Sequence, residues 1–316
     1  MKENYEKIKS MGTDVEIFIS TENKKLAEEK IKWLKKTLFY FENRFSRFIK
    51  NNELGKLNFS SSENFLASPT MTDILKKGQQ FHKITKGVFD PTIITSLENF
   101  GYDKDFNDLE KNQEDNFDPA HKIMCGKKFE KGSFGEIIID EEKRTIRKNG
   151  SFKIDLGGIG KGYIIDLLTG EFGKYFSDFW ISAGGDMFLS GKNDGQNWQV
   201  NIQNPFDLKN NIATIIEIKN SRMAVATSGI VKRQWRKGKK LFHHLIDPKT
   251  GLPVENDILS ATVIAPDAIS ADVFAKTVVI MGIKKGIDFI NSQADVECFI
   301  IDKGMNFHLS KNMPLK

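Results

Sequence analysis

The spacing of hydrophobic residues changes from period two to helical spacing near the start of the chain. The stretch "TDVEIFIS" alternates apolar and polar residues from Val15, which predicts a strand. The next stretch, "NKKLAEEKIKWLKKTLFYFENRF", carries apolar residues at helical spacing at Leu26, Ile31, Leu34, Leu38 and Phe41. The pattern therefore predicts a strand followed by a long amphipathic helix.

Further along the chain, turn residues separate a series of shorter elements. A helix is predicted over "MTDILKKGQQFHKITK", which follows Pro69 and ends at Gly87. A hairpin is predicted over 136–148, and a glycine-rich turn leads into a helix from about Gly160 to Tyr175. The remaining pattern predicts strands over 179–182, 187–190, 198–203, 213–219 and 260–265, helices over 269–281 and 285–292, and a last hairpin that turns at 302–304.

The order of these elements indicates the fold class. Many strands follow one another without an intervening helix, so the strand–helix alternation of a parallel sheet is absent. We expect an α+β fold with largely antiparallel sheets flanked by helices. The segment from Asn99 to about His121 is polar and aperiodic, which predicts an exposed loop or insertion. No repeat or linker divides the chain, so we predict one domain over residues 1–316, with the polar loop or insertion near 99–121.

Charge and composition exclude several classes of function. Lys and Arg number 47 against 42 Asp and Glu, and their scattered distribution gives little support to nucleic-acid binding. The densest basic run, Val231 to Lys240, is typical of a solvated hairpin turn or the rim of a site. Cys125 and Cys298 do not form a CxxC motif, so we expect neither a disulfide framework nor a zinc knuckle.

No stretch approaches the ~20 apolar residues of a membrane span, so no transmembrane segment is expected. The first residues also lack the apolar region of a signal peptide. We therefore expect a cytoplasmic protein from the sequence as it stands. A form trimmed of an export signal would give the same sequence.

The stretch "KIDLGGIGKGY", residues 153–163, resembles a phosphate-binding loop but fits neither common type. A Walker A loop ending at Gly160 and Lys161 needs Gly at position 155 and Ser or Thr at 162, which here are Asp and Gly. A dinucleotide fingerprint that opens at Gly158 meets Tyr163 where its last glycine belongs. Two interpretations remain: a close-approach turn before a helix whose amides and Lys161 favour an anion, or a plain strand-to-helix turn.

Five other stretches are rich in glycine and polar residues: "MGT", "GVFDPT", "SAGGD", "ATSG" and "HHLIDPKTG". Taken singly they are Asp-Pro turns, a strand end or a loop. Taken together and in order, they resemble the ApbE family, the FAD:protein FMN transferases, from Met11 to about Gly282. The resemblance extends over "FSRFIKNNELGKLN", "IDLGGIGKGYIID", "NWQVNIQNP" and "SATVIAPDAISADVFAKTVVIMG".

The resemblance implies an ApbE-like fold and a metal-dependent enzyme with Mg²⁺, or Mn²⁺ in its place. Such an enzyme cleaves the pyrophosphate of FAD and attaches FMN through a phosphoester bond to a Thr or Ser hydroxyl. The acceptor is a flavoprotein or FMN-binding domain, and AMP is released. Two alternatives stay open: a metal-dependent FAD pyrophosphatase that yields FMN and AMP, and a non-catalytic flavin-binding protein.

The resemblance also implies roles for individual residues. His244 matches a general base, and neutral histidine accepts a proton near neutral pH. Asp272 and the carbonyl of Gly158 match metal ligands, and hard oxygen ligands suit Mg²⁺. Thr227 and Ser228 are expected to donate hydrogen bonds and not to act as nucleophiles. With Lys161 as a further catalytic cation, the expected cofactor contacts are Met11, Phe48, Val88, Phe89, Asp90, Asp155, Lys161, Gly184, Gly185, Asp186, Thr227, Ser228 and Ile246.

One position departs from the family pattern. Where the family commonly reads "A-D-A-L-A-T", with the threonine as a metal ligand, this chain reads "ADVFAKT". Lys276 therefore stands four residues after Asp272, on the same helix face. Three outcomes are open: the ammonium replaces part of the metal's charge, Lys276 turns away, or metal affinity is simply weaker.

Overall fold

The computed structural model describes residues 3–60, 64–104, 106, 134–218, 222–237 and 240–316. The chain forms two compact units, each assembled from separate segments of sequence. The first unit comprises residues 1–42, 159–232 and 256–316, and the second comprises 43–158 and 233–255. The prediction of one domain over 1–316 stays a prediction.

An eight-stranded antiparallel sheet forms the centre of the first unit, and its strand order is β1-β2-β6-β7-β10-β15-β16-β17. Its strands are β1 (Glu3–Ser10), β2 (Thr13–Ser20), β6 (Phe179–Ala183), β7 (Asp186–Ser190), β10 (Arg222–Gly229), β15 (Ile258–Ala265), β16 (Glu297–Asp302) and β17 (Phe307–Leu309). Strands β8 (Trp198–Gln203) and β9 (Asn211–Ile218) pair as a separate ribbon. A buried apolar cluster joins this ribbon to β7, β10, β15 and β16 through residues such as Trp198, Ile216, Val225 and Phe299.

The helices of the first unit are α5 (Gly160–Phe172), α6 (Ala268–Met281), α7 (Ile283–Asn291) and most of α1 (Lys24–Phe45). Helix α6 packs against β10, β15 and α5. Ten of its residues are buried, which is expected of a helix that is apolar on nearly every side. Asp272 is the only acidic residue among those ten buried residues of α6.

Among its described residues the second unit contains helices α2 (Glu53–Phe59), α3 (Pro69–Ile84) and α4 (Ile94–Asn99). Its small sheets are β3 (Phe65–Leu66), β5 (Thr145–Arg147) and β4 (Ile138–Asp140) in that order, β11 (Gln234–Lys237) with β12 (Lys240–His243), and β13 (Ile246–Asp247) with β14 (Leu252–Pro253). Its aromatic core includes Phe100, Tyr102, Trp235 and Phe242. The indole N–H of Trp235 donates to the carbonyl of Phe100 at 2.8 Å.

The predicted fold class is confirmed: the described residues form helices and mostly antiparallel sheets in an α+β arrangement. The predicted hairpin over 136–148 is present as β4 and β5, and the basic run 231–240 contains β11 and ends at the first residue of its partner β12. The predicted polar loop near 99–121 extends beyond the described residues. Cys125 lies outside them. At the described start of this loop, however, Phe100 and Tyr102 are buried, because their rings pack on Trp235 and Phe242.

No helix in the described part of the chain is long and apolar enough to span a membrane.

Two strands of the eight-stranded sheet, β1 and β10, were not predicted. Strand β1 has the sequence ENYEKIKS, in which only Tyr5 and Ile8 are apolar, so its hydrophobic signal is weak at the sheet edge. The interpretation of "ATSG" as a loop is wrong, because Thr227, Ser228 and Gly229 continue β10 and pair with β15. The buried run from Met223 to Ala226 accounts for this, since a central strand buried on both faces lacks simple alternation.

Candidate functional site

Two lysines and two aspartates form a charged network in the first unit, which we call the Asp272 network: Lys161, Asp186, Asp272 and Lys276. Lys161 Nζ donates to Asp186 Oδ2 and lies 3.8 Å from Asp272 Oδ1. Lys276 Nζ donates to the same Oδ1 atom and, at 3.2 Å, to the backbone carbonyl of Asp272. The side chain of Asp272 is 1% exposed, whereas those of Lys161 and Lys276 are 19% and 13% exposed. A buried carboxylate is therefore paired with two lysines whose side chains are partly exposed.

The close approach of α5 and α6 brings Lys161 to Asp272. A Cβ atom at Gly162 would lie 2.6 Å from the carbonyl oxygen of Ala268 and 2.6 Å from the Cα of Ile269. Only glycine allows this contact between the first turns of the two helices. The glycine cluster thus contributes a helix packing contact, and none of its four glycines has the positive φ that other glycines of the chain adopt.

The N-terminus of α6 is held by two aspartates. Asp267 is the N-cap and accepts the N–H of Ser270 at 2.8 Å. Asp166, on α5, accepts the N–H groups of Ala268 and Ile269 at 2.7 and 3.0 Å. These charge-assisted bonds satisfy amides that a helix start leaves without partners. They fix the position of α6, and with it that of Asp272.

Asp186 connects the network to the central sheet. It begins β7 after the turn formed by Gly184 and Gly185, whose φ values are 65° and 96°. Its Oδ1 atom accepts the backbone N–H of Thr227 at 3.2 Å. The Thr227 hydroxyl lies 2.9 Å from the Thr262 hydroxyl, and the two form a hydrogen bond. The neighbouring Ser228 is buried.

Opposing effects set the pKa of Asp272. Burial disfavours its charged form, but the charges of Lys161 and Lys276, the hydrogen bond from Lys276 and the nearby Gly162 amide together outweigh burial. The pKa of Asp272 therefore lies below its ordinary value, and the carboxylate is ionised at neutral pH. The network carries two positive and two negative charges.

The Asp272 network does not fit a divalent metal ion in the arrangement observed. The Oδ2 atom of Asp272 is buried and accepts no hydrogen bond from any described residue, so it offers one oxygen ligand. Two ammonium groups stand at the other oxygen, however, and a hard cation such as Mg²⁺ needs about six oxygen ligands. Within the described ranges no three His, Cys, Asp or Glu side chains cluster as a metal site. Of the two predicted ligands, Asp272 belongs to the first unit and Gly158 to the second.

Several predicted cofactor residues meet in the second unit around the glycine turn. Asp155 accepts the N–H of Gly157 at 2.9 Å, and its own N–H donates to the carbonyl of Pro91 at 2.8 Å. A Cβ atom at Gly158 would lie 3.3 Å from the ring of Phe89. The turn and the "GVFDPT" stretch are therefore neighbours, as the resemblance implies for two parts of one binding site.

The "GVFDPT" stretch is rigidly held. Asp90 is buried and accepts both the N–H of Thr92, at 2.8 Å, and its hydroxyl, at 2.7 Å. His82 Nδ1 lies 2.9 Å from the carbonyl oxygen of Phe89 and 3.8 Å from Asp90 Oδ2. Val88 is buried as well. The predicted contacts Val88, Phe89 and Asp90 thus lie on a fixed turn after α3.

Arg47 was not predicted as a site residue. Its guanidinium lies 4.6 Å from the ring centre of Phe48 and 4.5 Å from that of Tyr102, and it donates to the carbonyl of Tyr102 at 3.0 Å. It also lies 3.7 Å from Asp155 Oδ2 and is almost fully buried. Arg47 therefore connects two predicted contacts, the exposed Phe48 and Asp155. The only sequence signal was its position beside Phe48 in "FSRF".

The two histidines of "HHLIDPKTG" have different surroundings. His243 ends β12 and is buried, with Nε2 3.0 Å from the carbonyl oxygen of Val254. His244 follows the strand, is half-buried as a residue, and has a buried Nδ1 atom. Ile246 is buried in β13. Asp247 accepts the N–H of Lys249 through its side chain, as expected for a residue that shapes the turn.

The predicted residues thus form two groups, one in each unit. In the first, Lys161, Asp186, Thr227 and Asp272 are brought together, with Gly184 and Gly185 beside Asp186. Met11 is half-buried in the β1–β2 turn with φ 54°, and just after this turn the carbonyl of Asp14 accepts the N–H of Gly184 at 2.9 Å. In the second, Phe89, Asp155 and Gly158 are neighbours, and Arg47 links Asp155 to Phe48.

Comparison with known proteins gives consistent matches over nearly the whole chain. The sequence model of the ApbE family matches residues 11–300. An FAD:protein FMN transferase of Escherichia coli is 26% identical over 266 residues, which cover 83% of this chain and 74% of that protein. An FAD:protein FMN transferase of Buchnera aphidicola is 28% identical over 270 residues, which cover 84% and 77%.

Solved structures share the fold. The ApbE protein of Thermotoga maritima superposes with a TM-score of 0.82 at 22% identity, covering 98% of this chain and 97% of its own. The flavin transferase ApbE of Vibrio cholerae gives a TM-score of 0.73 at 21% identity and covers 98% and 97%. The family model spans far more than half of the chain, and the resemblance stated from the sequence is confirmed. The chain belongs to the ApbE family of flavin transferases.

Proposed function

We propose that this protein is an FAD:protein FMN transferase, which moves FMN from FAD to a Thr or Ser hydroxyl of an acceptor flavoprotein and releases AMP. Membership of the ApbE family and the names of its relatives support the reaction class. The structural observation that carries the proposal is the Asp272 network, in which two lysines with partly exposed side chains pair with a buried carboxylate. Charges held in this way suit the polyanionic pyrophosphate of FAD.

The proposed reaction exchanges one phosphorus–oxygen bond for another. The acceptor hydroxyl oxygen attacks the phosphorus of the FMN half, and the bond from this phosphorus to the bridging oxygen breaks. AMP leaves with the bridging oxygen, while the hydroxyl proton passes to a base. Negative charge grows on the bridging oxygen, so a nearby fixed cation stabilises the transition state.

We assign the cation role to Lys161 and the base role to His244. The ammonium of Lys161 donates to Asp186 and lies 3.8 Å from Asp272 Oδ1, so two carboxylates position it before substrate binds. His244 lies on the turn after β12 and carries a side chain that accepts a proton when neutral. The turn of Asp155 and Gly158, with Phe89 and Phe48, is the proposed contact surface for FAD in the second unit.

The direct test is incubation of the purified protein with FAD and a flavin-acceptor domain, with and without Mg²⁺. We expect the acceptor to gain the mass of one FMN group, with an equal amount of AMP released. Lys161→Met is expected to slow transfer by about 100-fold or more, the usual loss for one transition-state charge donor. Lys285→Met, an exposed lysine on α7 of the same unit, is the matched control and should keep full activity.

The same assay separates the alternative functions. Release of free FMN and AMP without an acceptor would identify an FAD pyrophosphatase. Intact FAD after long incubation, together with tight flavin binding, would identify a non-catalytic flavin-binding protein and refute the transferase. The Mg²⁺ requirement stays a prediction, and the tubes without metal test it.

A further inference from the structure

The position of Lys276 bears on which cation the Asp272 carboxylate can bind. Lys276 and Asp272 are four residues apart in α6, so their side chains share one helix face. The ammonium makes two bonds to the same residue, one to Oδ1 and one, at 3.2 Å, to the backbone carbonyl. Lys276 therefore does not turn away from Asp272. It occupies the side of the carboxylate where another cation would bind.

The charges around Asp272 add to this effect. Lys161 Nζ lies 3.8 Å from the same Oδ1 atom, so one carboxylate oxygen faces two ammonium groups. A divalent ion bound there would lie within a few ångströms of both, and like charges about 4 Å apart repel strongly inside a protein. The buried Oδ2 atom, which accepts no hydrogen bond from the described residues, shows that Asp272 has ligand capacity that its lysine partners leave unused.

We propose that Lys276 is a built-in counter-ion of Asp272, and that it excludes divalent metal ions from this carboxylate in the native protein. Removal of the ammonium would then convert Asp272 into a metal ligand. Metal exclusion by Lys276 does not depend on any catalytic activity of the protein. Its catalytic consequence, FMN transfer without a metal ion at Asp272, rests on the proposed function.

The test is Mn²⁺ binding to the purified full-length chain, followed by electron paramagnetic resonance and titration calorimetry without FAD. We expect no Mn²⁺ binding that depends on Asp272 in the wild-type protein. Lys276→Thr, which replaces the ammonium with a hydroxyl ligand, should gain one Mn²⁺ site at least about 100-fold tighter, because it removes the nearest like charge. The double variant Lys276→Thr with Asp272→Asn should lose that site. Lys285→Thr is the matched control.

Two results would overturn the proposal. The first is a single Mn²⁺ bound by the wild-type chain and lost in Asp272→Asn, which would place the metal beside Lys276. The second is a folded Lys276→Thr variant whose Mn²⁺ affinity equals that of the wild type. If Lys276→Thr does not fold, Lys276→Gln, which also removes the ammonium, is measured in its place with Lys285→Gln as its control. Because binding is measured without FAD, failure of the transferase activity leaves this test unaffected.

Discussion

The contact between α5 and α6 gives a prediction with a defined magnitude. Replacement of Gly162 by alanine places a methyl group 2.6 Å from two backbone positions at the start of α6. Ordinary contact begins at 3.4 Å, so the two helix ends must separate by about 0.8 Å, the difference between these distances. Neither obstacle is a flexible side chain that could rotate away. We therefore expect strain, a shift of α6, and a longer distance between Lys161 and Asp272.

The size of the effect follows from overpacking of a buried contact, which costs about 1–3 kcal/mol. Gly170 provides the matched control, because it lies on the same helix, is exposed, and would have no atom within 4 Å of an added methyl group. Alanine at this exposed helix position should stabilise the protein by about 0.5–1 kcal/mol. The two variants thus make the same chemical change and are expected to differ in the sign of their effect.

Chemical denaturation of the wild type, Gly162→Ala and Gly170→Ala measures the stabilities. Amide hydrogen exchange in α5 and at the start of α6 then locates the change. We expect faster exchange in Gly162→Ala at the first turn of α6. If Gly162→Ala is as stable as Gly170→Ala and exchanges at the same rate, the packing argument is refuted.

Three further predictions concern other parts of the structure. Asp166→Ala should lower stability by about 1–2 kcal/mol in urea unfolding, because two amides at the start of α6 lose their acceptor; an unchanged midpoint would contradict this. The hydrogen bond from His308, with those from the β16–β17 turn, holds the pKa of Asp302 below its ordinary value. The ionised Asp302 carboxylate therefore stabilises the fold fully above about pH 4, and this stabilisation is lost as the pH falls further. We therefore expect the wild type to exceed Asp302→Asn in thermal stability by less at pH 3 than at pH 6, two values on either side of the usual Asp pKa of about 4. A constant difference would contradict the assignment. Burial raises the pKa of the Cys298 thiol to about 11, so in a Cys125→Ser background it should react with a thiol reagent only after unfolding, and rapid labelling of the native chain would count against this.

The sequence predicted most long elements because their hydrophobic spacing reflects one buried face. The helix predicted after Pro69 is observed as Pro69–Ile84, and the strand over 198–203 has its predicted bounds. Strand β10 was missed because its central position buries both faces and removes the alternation. The residue types at the end of β10, Ser228 and Gly229, also favoured a loop, since serine and glycine are common in turns.

Some residues of the candidate site could be predicted from the sequence and others could not, for a physical reason. Asp272 and Lys161 stand in motifs, so the resemblance located them, but their distance depends on packing of α5 against α6. That packing is encoded by Gly162 and Asp166, which lie more than 100 positions from their partners in α6. Arg47 has no motif of its own, and its role depends on the rings that surround it. Contacts of this kind, remote in sequence, are invisible to local patterns.

The Asp272 network itself argues for a functional role and against a purely structural one. A buried ion pair contributes little net stability, because loss of hydration offsets the attraction between its charges. A carboxylate retained only for stability would have both oxygens satisfied, since a buried acceptor without a donor costs about 1–3 kcal/mol. Asp272 has Lys276 and Lys161 at Oδ1 and no donor from the described residues at Oδ2. Such a local cost is typical of residues in functional sites, and here it coincides with two lysines whose side chains are partly exposed.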